Sequence, residues 1–369
     1  MQLFHANQQW SKRPADERFT SLPEMFAATK AYADEATERT VPWGDLRVDA
    51  GDGTNLMLIG KAGVPAKLTH YAFGQLSSRV GAPAGYLREL PATLAAQNLN
   101  HGLKARSGGG DAKLLFHVND GVLLRAVTSE AYERVWNHEV LSRLMDVSER
   151  LNLVPGQETF SWAAGQRPDG TVTGALNPSA EKSLYASDHD MFAFMMSPDR
   201  VVLDPMGQTL RRGLIVGNSE VGAASLWLMT FLFKDVCGNH IIWDASGVCE
   251  IRIPHIGQIR SKFWEAEATV RRYLDGAATF EEAQIQQLTV QIADTKDAVL
   301  DKLFGIRSLG VSRKALSASY DANVLEEDGD PRTLWGMAGG MTRHSQETVH
   351  TDERHALDRA AGRLLSFQF

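Results

Sequence analysis

The chain has 369 residues, of which 43% are hydrophobic and 22% are charged, and this composition excludes a wholly disordered protein. Its 38 basic and 45 acidic residues give a net charge of -7, which excludes a general polycation that coats nucleic acid or anionic lipid. The longest uncharged apolar run, residues 221–233, is too short to cross a bilayer and is predicted to be a core strand. The amino terminus lacks a signal-peptide pattern, and Cys237 and Cys249 are too few for a disulfide framework. We therefore expect a cytosolic protein with reduced thiols and no contact with the membrane.

The first 42 residues are predicted to form an amino-terminal arm. They are polar and Ala-rich, Pro14, Pro23 and Pro42 interrupt them, and they carry only weak helical periodicity. Firmer structure is expected from Trp43 onward, beginning with short strands near residues 45–48 and 56–59.

The next stretch predicts two helices followed by a β-hairpin. Thr69 has the position of an N-cap for a helix that ends at Gly81, and a second helix is expected from Pro91 toward Leu103. A triglycine break then separates these helices from two apolar strands joined at residues 119–121, where Asn, Asp and Gly tolerate positive φ.

The remainder predicts a helix over residues 137–151, a β-rich middle from 157 to 255, and helices beyond Pro254. Helical spacers are missing between the middle strands, which favours an antiparallel or mixed sheet over βαβ units. The apolar period of 3.6 over residues 259–273, and again over 279–303 behind a Thr279 capping box, predicts an amphipathic αα-hairpin. A last helix is expected over residues 351–365.

These elements predict an α+β fold with a mixed or antiparallel central sheet, an αα-hairpin and flanking helices. We divide it into an arm (1–42), an α+β domain (43–255, with a basic half up to about 113) and a helical carboxy-terminal region (256–369).

Charge is segregated along the chain. Residues 54–113 contain seven basic and two acidic residues, a local net charge of +5, whereas residues 275–369 contain fifteen acidic and ten basic residues, a local net charge of -5. A phosphate backbone is therefore best accommodated by the amino-terminal half. The predicted nucleic-acid-binding residues are Lys67, Arg79, Arg88, Lys104, Arg106 and Lys113, together with Arg211 and Arg212 beside a predicted strand. A solvated face that binds nothing is the alternative interpretation of the same residues.

Aromatic residues near these charges, namely Tyr71, Phe73 and Tyr86, are candidates for stacking on bases, although two of the three also have the spacing of core residues.

No nucleotide or metal motif is present, and no catalytic residue, metal or cofactor is predicted. The nearest cluster of potential ligands is Asp188-His189-Asp190, of which only the two aspartates can share one face of a strand, and an exposed polar turn explains it equally well. A second group contains His240, Asp244 and His255, which with Cys237 have the residue types of a nucleophilic site, but their spacing does not require one.

Several blocks of residues stand in one order along the chain: Gly81-Ala82-Pro83-Ala84-Gly85-Tyr86-Leu87, Leu90-Pro91, Asn98-Leu99-Asn100, Leu124 to Tyr132, Asn137 to Leu141, Gly217-Asn218-Ser219-Glu220-Val221-Gly222, Cys237-Gly238-Asn239, Thr333 to Met337 and Met341-Thr342. From about residue 70 to the end, this combination resembles a phage- and plasmid-borne family known as domain of unknown function 932. One block departs from the family, since its usual Cys-x-Asn-Gly is Cys237-Gly238-Asn239-His240 here, and the first seventy residues match weakly. The resemblance implies a mobile-element protein of the bacterial cytoplasm, with a role near DNA replication or recombination and no established reaction.

The leading hypothesis is a non-enzymatic protein that binds single-stranded DNA or anneals strands as a homo-oligomer. One rival is a metal-dependent hydrolase or nuclease built on Asp188, Asp190 and histidines such as His240 or His255. Another is a factor that binds only a host protein, for which an exposed apolar patch on the carboxy-terminal helices would be the marker.

Overall fold

The computed structural model describes residues 17–51, 56–60, 65–106, 109–119, 121–155, 184–203, 207, 209–234, 240–241, 250–276, 288–326, 329–347, 357, 360–365 and 367. The fold is α+β, as predicted, with two sheets. Its strands are β1 (Arg18–Phe19), β2 (Ala36–Pro42), β3 (Arg47–Asp49), β4 (Met57–Ile59), β5 (Ala66–Leu68), β6 (Asp111–Asn119), β7 (Gly121–Ser129), β8 (Val154–Pro155), β9 (Leu184–Ala186), β10 (Met191–Leu203), β11 (Thr209–Asn218), β12 (Leu226–Lys234), β13 (His240–Ile241) and β14 (Glu250–Ile253). Its helices are α1 (Leu22–Asp34), α2 (His70–Val80), α3 (Ala84–Glu89), α4 (Ala92–Arg106), α5 (Asn137–Leu151), α6 (Ile259–Asp275), α7 (Lys296–Gly305), α8 (Arg313–Glu326) and α9 (Leu334–Glu347).

The amino-terminal sheet has the strand order β2-β6-β7-β5-β4-β3, in which only β5 and β7 are parallel. Helices α2, α3 and α4 cover it, and their apolar side chains share one hydrophobic cluster with those of the sheet. The predicted β-hairpin is confirmed as β6 and β7, which pair from Ala112 with Ser129 to Asn119 with Gly121.

Both predicted ends of α2 are confirmed. The Thr69 hydroxyl accepts a hydrogen bond from the Ala72 amide at 3.1 Å, and Gly81 closes the helix in the left-handed conformation with φ 71°. Gly102 of α4 lets the two helices pack closely, because a Cβ at this position would lie 2.5 Å from Cβ of Val80.

The expectation of an arm differs from the structure over residues 17–42, which form β1, α1 and β2. Strand β2 pairs with β6 along its whole length. The Val118 amide donates to Glu35 O and the Trp43 amide to Gly110 O, so the odd-numbered residues bond to β6 and the even-numbered residues turn their backbone groups outward. The side chains of β2 are mostly exposed, and an exposed strand carries no apolar alternation that sequence patterning can detect.

The second sheet is antiparallel, with the order β1-β9-β10-β11-β12-β13, and with β14 beside β12 and β8 beside β10. Helices α1, α5 and α6 bury their apolar faces against it, and α5 spans the residues predicted for it. The core-strand prediction for residues 221–233 holds from Leu226 onward. The first five residues of that run instead form a turn, in which Gly222 has φ 83°.

The predicted αα-hairpin is only half matched. Helix α6 spans its predicted residues, whereas residues 277–287, including the predicted capping box, lie outside the described residues. Residues 288–295 form turns and a bridge between Gln291 and Thr333, and α7 then begins behind its own cap, Thr295. The apolar side chains of α6 belong to the core of the second sheet, whereas those of α7 form a separate cluster with α8 and α9. Of the predicted last helix, residues 357 and 360–364 are helical among those described.

Candidate nucleic-acid interface

A cleft of about 1300 Å³ opens between α2, α3 and the ends of β6 and β7. Arg79 and Arg88 supply its positive charges, and Asp111 and Glu130 supply its negative charges. Its remaining lining includes Trp43, His70, Tyr71, Gly74, Gln75, Ser78, Ala84, Gly109, Gly110, Val127, Thr128, Ser129, Ala131 and Gly222. The two arginines come from consecutive helices, so the Gly81 turn between those helices is what brings them to one opening.

Each of these arginines is supported by an aromatic ring. The Arg79 guanidinium carbon lies 4.4 Å from the centroid of Trp43, and that of Arg88 lies 5.0 Å from the centroid of Phe73. Arg88 Nη2 also donates to the His70 carbonyl at 3.1 Å. Neither guanidinium forms an ion pair with a carboxylate in the described part of the chain. Two exposed cations therefore remain available to an anionic ligand.

Two further cations predicted from the sequence also lie near this region. Lys67 is exposed on β5 and lines a smaller pocket that shares Arg88 and His70 with the cleft. Lys113 is half-buried and donates to the Tyr132 carbonyl at 2.9 Å, so its charge is directed to the backbone beneath the cleft.

Of the other four predicted cations, the three whose side chains are described are not brought to the cleft. Lys104 is exposed on α4 but does not line it, and the side chain of Arg106 lies outside the described residues. Arg211 and Arg212 belong to β11 of the second sheet, where Arg211 donates to the Pro198 carbonyl. Arg212 is only 2% exposed and donates to the carbonyls of Leu274, at 3.4 Å, and Gly276. Burial removes Arg212 from any surface, since its position on β11 turns the side chain toward α6.

The three aromatic candidates have different environments. Phe73 is buried beneath Arg88, and Tyr71 lines the cleft with its ring 6.5 Å from that of His189. Tyr86 is 59% exposed, but two residues along a helix correspond to about 200°, so it faces away from Ala84 and Arg88, which line the cleft. Of the three aromatic candidates, only Tyr71 is among the described residues that line the cleft.

Beneath the cleft, a buried ion pair joins the two sheets. Arg125 on β7 and Glu220 after β11 are 1% and 2% exposed, and Arg125 Nη2 lies 2.9 Å from Glu220 Oε2. The same nitrogen donates to the Asp188 carbonyl at 2.7 Å, and the guanidinium lies 4.3 Å from the ring centroid of Tyr32. Glu220 Oε1 accepts the Asn137 amide at the start of α5, at 2.9 Å. We call this group, with the residues in the next paragraph, the inter-sheet joint.

Polar side chains of the inter-sheet joint also hold the turn at residues 218–222. Asn218 Nδ2 donates to Val135 O at 2.9 Å and to Asn137 Oδ1 at 2.8 Å. The Tyr132 hydroxyl donates to Ser219 O at 2.9 Å, and burial raises the pKa of this phenol. The hydroxyl therefore stays protonated and remains a donor.

Gln75 links the joint to the cleft. Its Nε2 donates to Val221 O and its Oε1 accepts the Val127 amide, both at 2.8 Å, which ties α2 to the turn and to β7. Gly222 lies at the base of the cleft as a result, and a Cβ there would be 3.3 Å from the Tyr132 ring. Sequence reasoning missed Trp43, Gln75 and Glu220, whose partners are far away in the chain. The only usable signal was that Glu220 lies in a block shared with the family.

The rival metal site has little geometric support. Residues 187–190 form a polar turn, in which Asp188 Oδ1 lies 2.6 Å from His189 Nδ1 and this contact lowers the pKa of Asp188. His255 is buried and stacks on Tyr132, with ring centroids 5.0 Å apart. Within the described residues, no three His, Cys, Asp or Glu side chains are grouped closely enough to hold a metal ion. Cys237, Asp244, Cys249 and the side chain of His240 lie outside those residues.

The markers of the protein-binding rival are single side chains. Trp264 on α6 and Phe304 on α7 are both more than half exposed. The helices in the described part of the chain include none that is both long and apolar enough to span a membrane.

Comparison with curated proteins gives no match, and comparison with solved structures gives none either. A comparison with models of protein families matches residues 126–361, more than half of the chain, to the family described as "Domain of unknown function (DUF932)". The match begins at Ala126, so Arg79, Arg88 and the blocks before β7 that contributed to the resemblance lie outside it, whereas Thr128, Ser129, Glu220 and Gly222 lie inside it. On this match, the chain belongs to the DUF932 family.

Proposed function

We propose that this chain binds single-stranded DNA in the cleft, without catalysing a reaction, as part of the DNA metabolism of a mobile genetic element in the bacterial cytoplasm. The observation that carries the proposal is the pair Arg79 and Arg88. Both are exposed in one cleft, both rest on aromatic rings, and neither has a carboxylate partner among the described residues. Arginines held in this way lose little side-chain freedom on binding a phosphate.

The chemistry of the cleft suits a single strand better than a duplex. Guanidinium planes and Tyr71 offer stacking surfaces to unpaired bases, and such stacking tolerates any base. Asp111 and Glu130 also line the cleft and repel phosphates, which favours a path along α2 and α3.

Strand annealing by a homo-oligomer extends this proposal. One cleft supplies two arginines, which is few for tight binding to a polyanion, and several copies in a row would supply phosphate contacts along one strand. Mass photometry with and without oligonucleotide tests the extension. A multimer that gains mass supports it, and a 40.6 kDa particle that does not change contradicts it.

The main experiment reverses the two charges. With the Arg79→Glu and Arg88→Glu double variant, we expect the affinity for a labelled single strand, measured by fluorescence anisotropy, to fall at least about 100-fold, because two charged hydrogen-bonding groups are lost. The slope of log affinity against log salt should decrease by about 1.4, or roughly 0.7 for each lost phosphate contact.

Two exposed arginines away from the cleft provide the matched control, because Arg47→Glu with Arg150→Glu changes the net charge equally. Equal losses in both double variants, or no loss in either, would overturn the proposal. Parallel titrations with duplex DNA and with RNA of the same sequence test the choice of a DNA single strand. Incubation of the labelled strand with the protein and Mg²⁺ or Mn²⁺ tests the absence of catalysis, which cleavage of the strand would contradict.

A further inference from the structure

The smaller pocket beside the cleft has a volume of about 410 Å³, which is in the range of small-ligand sites. It lies between β5, α3 and the first turn of α4, and it shares His70 and Arg88 with the cleft. Arg88 therefore lines both spaces, a large one of about 1300 Å³ and a compact one of about 410 Å³ that suits a single group.

The exposed walls of this pocket are about equally polar and apolar, and the charged groups among its described lining residues are all positive. The apolar side chains are Leu56, Leu68, Phe73, Leu87, Leu90, Ala92, Ala95 and Leu123. The charged side chains are Lys67 and Arg88, and no carboxylate is among the described lining residues, in contrast to the cleft with its Asp111 and Glu130. An occupant with apolar faces, hydrogen-bonding groups at its edges and a negative charge therefore fits this lining.

Both cations are available to such an occupant. Lys67 is exposed and forms no hydrogen bond or ion pair with the described residues. Arg88 donates one hydrogen bond, to the His70 carbonyl, and its other N–H groups have no partner in the described part of the chain. Stacking of Arg88 on Phe73 fixes the guanidinium at the boundary between the pocket and the cleft.

We propose that this pocket holds one nucleobase turned out of the bound strand, with the adjoining phosphate between Lys67 and Arg88. A base supplies the flat apolar body and its phosphate supplies the charge. The strand then continues past Arg88 into the cleft toward Arg79. This inference rests on the proposed function, because it identifies the part of a bound strand that each cavity receives.

The probe is 2-aminopurine deoxyribonucleoside 5′-monophosphate, whose fluorescence changes when the base is stacked or buried. We expect it to bind the wild-type protein at least about 10-fold more tightly than the nucleoside without phosphate, since the phosphate gains two cations. An unlabelled single-stranded oligonucleotide should displace the nucleotide, and inorganic phosphate should displace it only weakly.

Two variants separate the parts of the pocket. Ala92→Phe fills the cavity from the first turn of α4, and we expect about a 10-fold loss of nucleotide affinity because the base can no longer enter. Thr93→Phe is the matched control, because residue 93 is exposed and does not line the pocket. Lys67→Glu changes an exposed strand residue, and it should remove the advantage of the nucleotide over the nucleoside even if Ala92→Phe fails to fold.

Each outcome bears on one proposal or the other. Equal affinity for nucleotide and nucleoside, or equal binding by the Ala92→Phe and Thr93→Phe variants, overturns the pocket assignment. If the pocket assignment fails in this way but the Arg79→Glu and Arg88→Glu double variant loses more oligonucleotide affinity than the control double variant, the cleft proposal stands without the pocket. If no oligonucleotide binds while the nucleotide binds with the expected variant pattern, the site takes free nucleotides and both the strand in the pocket and the proposed function are overturned.

Discussion

The two arginines of the cleft and Arg125 of the inter-sheet joint have the same chemistry and opposite environments. Arg79 and Arg88 are exposed, rest on aromatic rings and have no carboxylate partner among the described residues. Arg125 is 1% exposed, is paired with Glu220 and also lies over an aromatic ring, Tyr32. Stacking on an aromatic ring thus does not separate the two regions, whereas burial and pairing do.

A count of charges along the chain therefore does not show which arginines are available to a ligand. A buried charge must be compensated at short range, so Arg125 is committed to Glu220 and contributes nothing to the field outside. An exposed arginine retains its charge for a ligand. The local net charge of +5 in residues 54–113 bears on ligand binding only because several of its basic residues are exposed.

The largest effect is expected from breaking the joint at Glu220. Glu220→Ala leaves the Arg125 charge buried without its partner and removes the acceptor for the Asn137 amide, so the free energy of unfolding should fall by about 3–5 kcal/mol. Urea unfolding followed by circular dichroism measures the change. A loss below about 1 kcal/mol would mean that the pair is not buried in solution and that the two regions do not differ as described.

A smaller effect on the free energy of unfolding is expected from protonation of His255, which stacks on Tyr132 at the edge of the inter-sheet joint. Burial holds the pKa of His255 below its usual value, so the unfolded chain binds a proton at a higher pH than the folded protein. The free energy of unfolding should therefore decrease as the pH falls from 7.5 through about 6.5. The neighbouring charged groups are Glu133, whose carbonyl contacts His255 Nδ1, and Arg134.

His255→Phe keeps a ring against Tyr132 and removes the titrating group, so the decrease between pH 7.5 and 5.5 should be smaller than in the wild type. His117, whose pKa is also lowered by burial, is present in both proteins and supplies the residual slope. Identical slopes in the two proteins would show that His255 titrates normally.

The smallest effect on stability is expected at the cleft itself. Arg79→Ala removes one cation stacked on Trp43 at the surface, which should lower the free energy of unfolding by no more than about 1 kcal/mol. The same urea titration measures it beside Glu220→Ala. A loss as large as that at Glu220 would mean that Arg79 stabilises the fold, as Arg125 does, and is not held available for a ligand.

Elements whose signals are local were predictable from the sequence. The caps of α2 at Thr69 and Gly81, the hairpin of β6 and β7, and the bounds of α5 all depend on residues within a few positions of one another. Strand β2 depends on pairing with β6, about 75 residues later, and its exposed side chains carry no pattern.

The site was predictable in part for the same reason. Arg79 and Arg88 are nine positions apart on adjoining helices, so both were identified as neighbours in a basic segment. Trp43 beneath Arg79, and Glu220 beside Arg125, are brought together only by the tertiary fold. Arg212 has the charge of a ligand-binding residue, and only its position on β11 reveals that it is internal.

The outward edge of β2 limits how copies of this protein can assemble. Backbone groups of Ala36, Glu38, Thr40 and Pro42 face away from β6, and an antiparallel ladder between two copies has to use these even positions. The register that pairs all seven residues sets Arg39 opposite the same arginine of a second copy. The two neighbouring registers set Glu38 against Glu38 or Thr40 against Thr40, and in the latter Pro42 has no amide hydrogen to donate to Glu38. Pairing of two copies through β2 is thereby opposed, and any homo-oligomer is expected to use other surfaces.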